Sequence, residues 1–462
     1  MLDSSYLIKG GILLYFSIFA LLFVFLVPPG EAPDEPAHVA YVDFVAKNLE
    51  LPYQYEAETR RPEGHQPPLY YMVCAAFNRI LNSNNVIQMQ LVQNPRQSYK
   101  DGRFQQDVPV YLHFLQPFSK LAIPMFTSEE DKINFYFLRL FSVVLGILNT
   151  WFILKLSELL FGDRRWRYFP ALFVATLPQY IFMFAVINND AMANFVSTVA
   201  VYLSFRIWFH PDESRNFLLL GMVLGLGLLT KKTVMVTLPP VLLVLAGVTL
   251  RRGSRVEKER VVMYSIYAFT IALAISGWYF VRNELLYGDV LASDMEKRFI
   301  MARDAPLLMW SSLVSFVTEA FASFVGEFGW NHVRLPESLY LTYAAVLIIG
   351  MTGFCIRLYM IGKNGIELIL LAAFCLSAVV GFLYTNITFP HSHGRLLFPV
   401  ISAFAVQLAV GFRQIFSFLH SSPLKTLLGY GVVSAFVLSD LVSVFLIHGF
   451  YYRIEQYLEV FG

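Results

Sequence analysis

Residues 11–38 read GILLYFSIFALLFVFLVPPGEAPDEPAH: an unbroken apolar run that stops at two prolines and turns acidic. The run from Gly11 to Val27 follows Lys9 and approaches the roughly 20 apolar residues that a helix needs to cross hydrocarbon. No small-residue cleavage site follows it, so it is read as a retained first span rather than a removed secretion signal. Beyond it, Pro33-Asp34-Glu35-Pro36-Ala37-His38 sets two acids and a histidine at the helix exit. Gly64-His65-Gln66-Pro67-Pro68-Leu69-Tyr70-Tyr71 answers it downstream. Ionisable groups are costly near hydrocarbon and persist where water or a partner satisfies them, so this loop is the first site candidate.

Composition agrees with a membrane bundle. The chain has 462 residues, 56% hydrophobic and 15% charged, where a soluble protein would carry roughly 25% charged residues. The net charge of +2 gives no reason to expect nucleic acid as a partner. Cys74, Cys355 and Cys375 are scattered, without disulfide or zinc spacing.

By the length rule, further spans are expected at roughly 136–160, 168–187, 190–209, 216–231, 233–250, 260–281, 337–358, 366–386, 396–415 and 424–448, about eleven in all. The fold class is therefore all-α integral membrane, with residues 1–462 as a single polytopic domain. Residues 29–134 form a long outer loop. Within it, Asp34 to Leu49, with Ala37, Tyr41, Phe44, Val45 and Leu49 on one face, and Pro67 to Leu81 read as amphipathic interfacial helices. Asn82 to Lys132 is polar and proline-bearing. Residues 282–335 form a second long outer loop, in which Leu307 to Trp330, holding Glu319 and Glu327, is read as an outer-face or re-entrant helix.

The short connections carry Asp163 to Arg167, Arg215, Arg251 to Arg260, Arg357, Lys363, Arg413 and Lys425, all on the side of Lys9. The positive-inside rule makes that side cytoplasmic. The chain is accordingly expected in the cytoplasmic (inner) membrane, N-terminus inside. On the outer face this count gathers Asp34, Glu35, His38, His65, Asn188-Asn189-Asp190, Lys231, Arg282-Asn283, and His391-Ser392-His393-Gly394-Arg395.

Simpler readings exist for several of them. Asp34 before Glu35-Pro36 suits a helix N-cap, though a cap leaves His38 and His65 unexplained. Asn188-Asn189-Asp190 suits a turn that caps the next span. Lys231 and Lys232 suit snorkelling, and Arg282, after Trp278-Tyr279-Phe280, suits an interfacial anchor. His113 and His332 are read as surface residues. Taken together, acids facing cations at headgroup depth suit a lipid-linked phosphate substrate. Cations would hold the phosphate, and a carboxylate would take a proton from an acceptor hydroxyl. The chain has no glycine-rich phosphate loop.

Several ordered motifs resemble the GT-C superfamily of membrane glycosyltransferases, especially the branch of protein O-mannosyltransferases and the lipid A aminoarabinose transferase. They are Asp34-Glu35, His65-Gln66-Pro67-Pro68-Leu69-Tyr70-Tyr71, Arg139-Leu140, Asn189-Asp190, Gly227-Leu228-Leu229-Thr230-Lys231, Gly277-Trp278-Tyr279-Phe280-Val281-Arg282-Asn283, Phe328-Gly329-Trp330 and Gly394-Arg395-Leu396-Leu397-Phe398-Pro399. The resemblance implies a polyprenyl-phosphate sugar donor and inversion at the anomeric carbon. It implies Asp34, joined by Glu35, as catalytic base or metal ligand. His38, His65, Asn189 and Asp190 would orient the acceptor or a metal. Lys231, Arg282, His391, His393 and Arg395 would hold the donor phosphate. A divalent cation at Asp34 and Glu35 is the one cofactor left open. The acceptor is a lipid, glycan or protein, and membrane lipids are partners throughout. The alternatives are a lipid-linked sugar transporter or flippase, expected to bury charge in mid-span, and a non-catalytic subunit of a polysaccharide assembly system.

Overall fold

The computed structural model describes residues 4–53, 63–81, 87, 89, 93–100, 107–111, 126–163, 166–294, 307–362, 365–389 and 391–451. In chain order its helices are α1 (Ser4–Leu26), α2 (Glu35–Asn48), α3 (Leu69–Leu81), α4 (Glu129–Leu160), α5 (Phe169–Ala175), α6 (Pro178–Met183), α7 (Asp190–Phe209), α8 (Ser214–Leu228), α9 (Leu238–Arg251), α10 (Arg255–Tyr287), α11 (Trp310–Val325), α12 (Glu337–Ile361), α13 (Ile366–Thr388), α14 (Ile401–Phe418) and α15 (Ser422–Tyr451). Short 3₁₀ segments, Lys232–Thr237 and Gly394–Val400, lead into α9 and α14. Among the described residues, nine helices are long and apolar enough to cross a membrane.

The two remaining expected spans are made differently. Residues 168–187 form α5 and α6, broken at Thr176-Leu177 because Pro178 has no N–H to give and its ring crowds the carbonyl four residues back. The Thr176 carbonyl accepts a hydrogen bond from Tyr343 Oη at 2.9 Å instead. The pair still traverses the bundle. Tyr168 Oη reaches Ser5 Oγ (3.0 Å) at one end, and the Ile187 amide reaches Glu35 (3.0 Å) at the other. It is buried nearly throughout, including Phe173, Tyr180 and Phe182, as an all-round apolar helix in the centre of a bundle should be. The second case, α8, has 15 residues. It runs from Glu213, which accepts from Arg206 at 2.8 Å, to Leu229, whose carbonyl accepts the Leu69 amide at 2.8 Å. Glycines let these helices pack backbone to backbone: any Cβ on Gly221 or Gly225 of α8 would run into Ala268 or Ala272 of α10.

The outer segments hold two corrections. The inward face of α2 is Val39, Tyr41, Val42, Val45 and Ala46, packed on α3, while Leu49 is 70% exposed. That residue ends the helix at φ 55°, with its amide on Val45 O. The polar stretch after α3, read only as proline-bearing loop, contributes an antiparallel hairpin, β1 (Gln93–Lys100) with β2 (Asp107–Tyr111). His113 lies outside the described residues. Helix α11 has 16 residues and packs its Ala320–Phe324 edge against Gly394. It is followed by β3 (Glu327–Phe328), paired with β4 (Val333–Arg334).

The two ends of the bundle differ in chemistry. One carries Lys9 with Glu158, Arg206 with Glu213, and Arg252 with Asp212. The other carries Glu35 with Arg139, Asp190 with Lys231, and Asp34 with Arg395. Basic loops share the Lys9 end, as the charge pattern predicts, and the expected site residues share the opposite one.

Candidate active site

The site is built on a buried arginine. Arg139 enters from the third turn of spanning helix α4 and is fully buried, as is Glu35. Its Nε donates to Glu35 Oε1 (2.9 Å) and its Nη2 to Oε2 (2.7 Å), a two-point fork. Its Nη1 donates to the carbonyls of Val24 (2.8 Å) and Val27 (2.6 Å), and Nη2 also reaches Pro28 O (3.3 Å). These carbonyls lie where α1 ends and its last C=O groups lack helical partners; that of Pro28 also accepts the Glu31 amide at 3.2 Å. Glu35 further accepts the amides of Gly30 (3.0 Å) and Ile187 (3.0 Å). Each carboxylate oxygen therefore takes two bonds. Expected beside Asp34 as a catalytic or metal-holding acid, Glu35 instead ties α1, α4 and the loop before α7 into one seat.

Asp34, next to it, is in the opposite condition. It occupies the N-cap position of α2 at φ 62°, ψ 1°, and its side chain makes no capping bond. The simple helix-cap explanation of this residue is therefore wrong. A non-glycine residue in the left-handed region is held there by its surroundings, and such positions cluster at functional sites. Its side chain is 47% exposed, and Arg395 Nη2 stands 3.7 Å from Oδ2.

Arg395, on the 3₁₀ segment before α14, has a side chain only 11% exposed. Its Nη1 contacts Met183 Sδ at 3.7 Å, and its Nε is buried without a hydrogen-bond partner. A guanidinium has five donors, and leaving them unmet in a buried place costs energy. Beside it, Lys231 Nζ donates to Asp190 Oδ1 at 2.7 Å. Lys231 is presented by an extended residue just after α8, whose last turn is closed by the bond from its amide to Gly227 O.

A polar chain runs along the wall from α2 to α7. His38 Nδ1 meets Tyr71 Oη at 2.9 Å. Asn189 Nδ2 donates to Tyr71 Oη and to Gln66 Oε1, each at 3.2 Å, and the Tyr41 ring stacks on Tyr71 at 3.8 Å. Burial lowers the pKa of His38, against the pull of Glu63 and Asp34, so His38 is neutral near pH 7. Its partner is Tyr71, not His65. The His65 carbonyl accepts from Tyr279 Oη (2.8 Å), and its side chain is buried. Asn188, not Asn189, caps α7, its Oδ1 accepting the Ala191 amide at 3.0 Å.

The remaining expected groups line the rim. His393 Nδ1 faces Asn331 Nδ2 at 3.3 Å. Burial, with Arg395 and His391 nearby, drives its pKa well below the usual imidazole range, so it offers a phosphate no charge at neutral pH. The His391 ring lies 6.4 Å from that of His393, and the His391 carbonyl accepts from Asn386. Arg282 donates to Pro52 O at 2.9 Å, and its charge reaches the Tyr41 hydroxyl. His332, expected at the surface, is buried and bonded to Tyr451 Oη at 2.8 Å. Its loop closes over Gly30, whose carbonyl accepts from Trp330 Nε1 at 3.1 Å.

Among the described residues, no group of three or more His, Cys, Asp or Glu side chains is placed to hold a metal ion. With Glu35 fully bonded, Asp34 and Glu35 do not fit the paired ligand role. Glu63 and Asn331 figure in no sequence expectation, while Gln66, Tyr71, Trp330 and Arg139 lie within the quoted motifs without a role of their own. Only Arg139 carried a clear signal, as a cation within an apolar run.

Comparison with solved structures shows the fold of the GT-C membrane glycosyltransferases. ArnT from Cupriavidus metallidurans bound to undecaprenyl phosphate is similar over 95% of this chain and 76% of that one, at TM-score 0.54 and 11% identity. The apo form of that protein gives 0.52 at 12% identity, over 95% of this chain and 75% of that one. The Archaeoglobus fulgidus oligosaccharyltransferase in complex with Zn and sulfate gives 0.51 at 12% identity, over 94% of this chain but about half (53%) of that one. No curated protein matches in sequence. The family model described as "Predicted membrane protein (DUF2142)" matches residues 16–403, and the chain belongs to that family.

Proposed function

We propose that this chain is a membrane glycosyltransferase that moves a sugar from a polyprenyl-phosphate donor to an acceptor hydroxyl. The observation that carries the reading is the Asp34–Arg395 pair: a half-exposed carboxylate without a capping role, facing a buried guanidinium whose Nε has no partner. Asp34 lies by Arg395, some 360 residues away in the chain, which supports a site assembled from distant loops. The ArnT structure with undecaprenyl phosphate supports a lipid phosphate as the group held.

In this mechanism Asp34 takes the proton of the acceptor hydroxyl as its oxygen attacks the anomeric carbon. The bond from that carbon to the phosphate oxygen breaks, its electron pair stays on the phosphate, and the configuration inverts. Arg395 and Lys231 stabilise the charge that develops on the leaving lipid phosphate, with Asp190 holding the lysine in place. Arg282 serves further out, at the lipid-facing entrance. Membrane lipids surround the bundle, the Lys9 end faces the cytoplasm by the positive-inside rule, and the site opens on the outer face of the inner membrane. The acceptor is a lipid, glycan or protein bearing the hydroxyl.

The transporter reading predicts charge buried in mid-span. One ionisable group does lie in mid-span: Asp440 of α15 is fully buried and accepts from Tyr15 Oη at 2.6 Å. Turnover separates the readings. Purified protein in nanodiscs, given radiolabelled polyprenyl-phosphate hexose, is expected to release lipid phosphate and to transfer or hydrolyse the sugar. Asp34→Asn protein is expected to be slower by at least about 100-fold. Full activity in that variant would remove Asp34 as the base. Flipping of the lipid without turnover would favour the transporter.

A further inference from the structure

With Glu35 locked, the second acid of the site is Glu63. Its charge acts on both His38 and Tyr71, as those of Asp34 and Lys231 do on His38. Its backbone sits at φ 75°, in a turn closed by the Gln66 amide on Glu63 O at 2.9 Å. A non-glycine residue costs roughly 1–2 kcal/mol in that conformation, although Gly64 is adjacent and would accept it freely. Its Oε2 is buried and has no hydrogen-bond partner. A strained position and an unmet buried oxygen are two costs at one residue.

The polar chain fixes what its neighbours present. Both Asn189 amide protons are used, on Gln66 Oε1 and Tyr71 Oη. With one hydrogen bond arriving from Asn189, we assign the Tyr71 hydroxyl as the donor to His38 Nδ1. A neutral His38 then carries its remaining hydrogen on Nε2 and is a donor there. Asn189 Oδ1 is left as a fully buried acceptor with no partner. This corner therefore offers two acceptors, Glu63 Oε2 and Asn189 Oδ1, and one neutral donor, His38 Nε2–H. Phosphate would be repelled by Glu63 and find no cation in this set. Adjacent hydroxyls, each able to give and to take a hydrogen bond, match it.

We infer that Glu63, Asn189 and His38 form a subsite that binds the hydroxyls of a sugar ring, separate from the phosphate-holding cations at Arg395 and Lys231. The inference rests on the glycosyltransferase reading and deepens it by dividing the site into a sugar half and a phosphate half. The ring belongs either to the donor or to a sugar acceptor, and the two sources are distinguishable.

Glu63→Gly is the suitable variant, because glycine takes the positive φ without strain while removing the carboxylate. Wild-type and variant protein in nanodiscs would be titrated with undecaprenyl phosphate and with its glucose-, mannose- and galactose-bearing forms. Methyl glycosides of the same sugars would be followed by saturation-transfer NMR. The expected result is unchanged affinity for the bare lipid phosphate, within about twofold, and a melting temperature equal to or above wild type. Recognition of the sugar falls at least about tenfold. A loss confined to the sugar-bearing lipids assigns the donor ring, and one confined to the methyl glycosides assigns an acceptor ring. Equal loss on bare lipid phosphate, a lowered melting temperature, or no loss on a wild type that distinguishes sugar-bearing from bare lipid would each overturn the assignment of Glu63 and leave the transferase reading standing. A wild type that binds none of these lipids would defeat the transferase reading, and the subsite with it.

Discussion

Asp34 and Glu35 are adjacent, both acidic and both paired with an arginine, yet they occupy opposite physical states. Glu35 and Arg139 are each fully buried, and the carboxylate accepts four hydrogen bonds. Asp34 is half exposed, strained at φ 62°, and 3.7 Å from an arginine with a buried, unbonded Nε. A saturated pair has nothing left to offer a substrate, whereas an unsaturated one has donors and a lone pair to spare. The contrast divides the mouth of the bundle into a saturated seat and an open pair, one residue apart.

Breaking the seat should have the largest effect on stability. Glu35→Gln or Arg139→Met leaves one buried charge alone and is expected to cost about 3–5 kcal/mol, read as a large drop in detergent-solubilised melting temperature. The double change Glu35→Leu with Arg139→Met should recover part of that loss, since paired removal leaves no lone charge. If both single variants melt like wild type, the seat is not structural.

The next effect is a pH dependence. Burial, opposed by Glu31, lowers the pKa of His332 to about 4. Its folded value lies below its unfolded one, so its contribution is fully present above pH 6.5 and is lost as pH falls from 6.5 towards 4. At about 1.4 kcal/mol per unit, that contribution is on the order of 3 kcal/mol. Melting curves across that window should flatten in His332→Gln relative to wild type; an identical slope would show that another group titrates.

A smaller effect separates the two arginines. Arg395→Gln should weaken undecaprenyl phosphate binding at least about tenfold, near 1.4 kcal/mol, with little change in melting, the reverse of Arg139. Smallest is Tyr71→Phe. It strips one partner from His38 and one from Asn189, costs about 1 kcal/mol, and should alter turnover several-fold while lipid phosphate binding stays constant.

Much of the architecture was legible because hydropathy counts crossings well, even where a crossing is broken. Residues 168–187 were read as one span, and they do traverse the bundle, but Leu177-Pro178 splits them. An averaged hydropathy does not register the loss of one N–H. The face carrying Asp34, Asp190, Lys231 and Arg395 was legible too, since basic loops on the other side fix the parity. Partner choice was not. Glu35 finds Arg139 104 residues away, and His38 finds Tyr71 rather than the histidine that its spacing suggested. Sequence shows that a charge sits at a helix end, but not whether three backbone amides or carbonyls are waiting for it. His332 illustrates the limit from the other side: nothing around it in sequence marks it as buried, because its neighbours are Glu31 and Tyr451 from distant elements.

The most direct test measures melting temperature and sugar release on the same preparations of Asp34→Asn and Glu35→Gln. The account predicts a crossed result: Asp34→Asn melts like wild type and loses at least about 100-fold in turnover, while Glu35→Gln melts far lower and keeps turnover in the fraction that remains folded. Two variants that fail in the same way, or an Asp34→Asn protein that turns over like wild type, would contradict it.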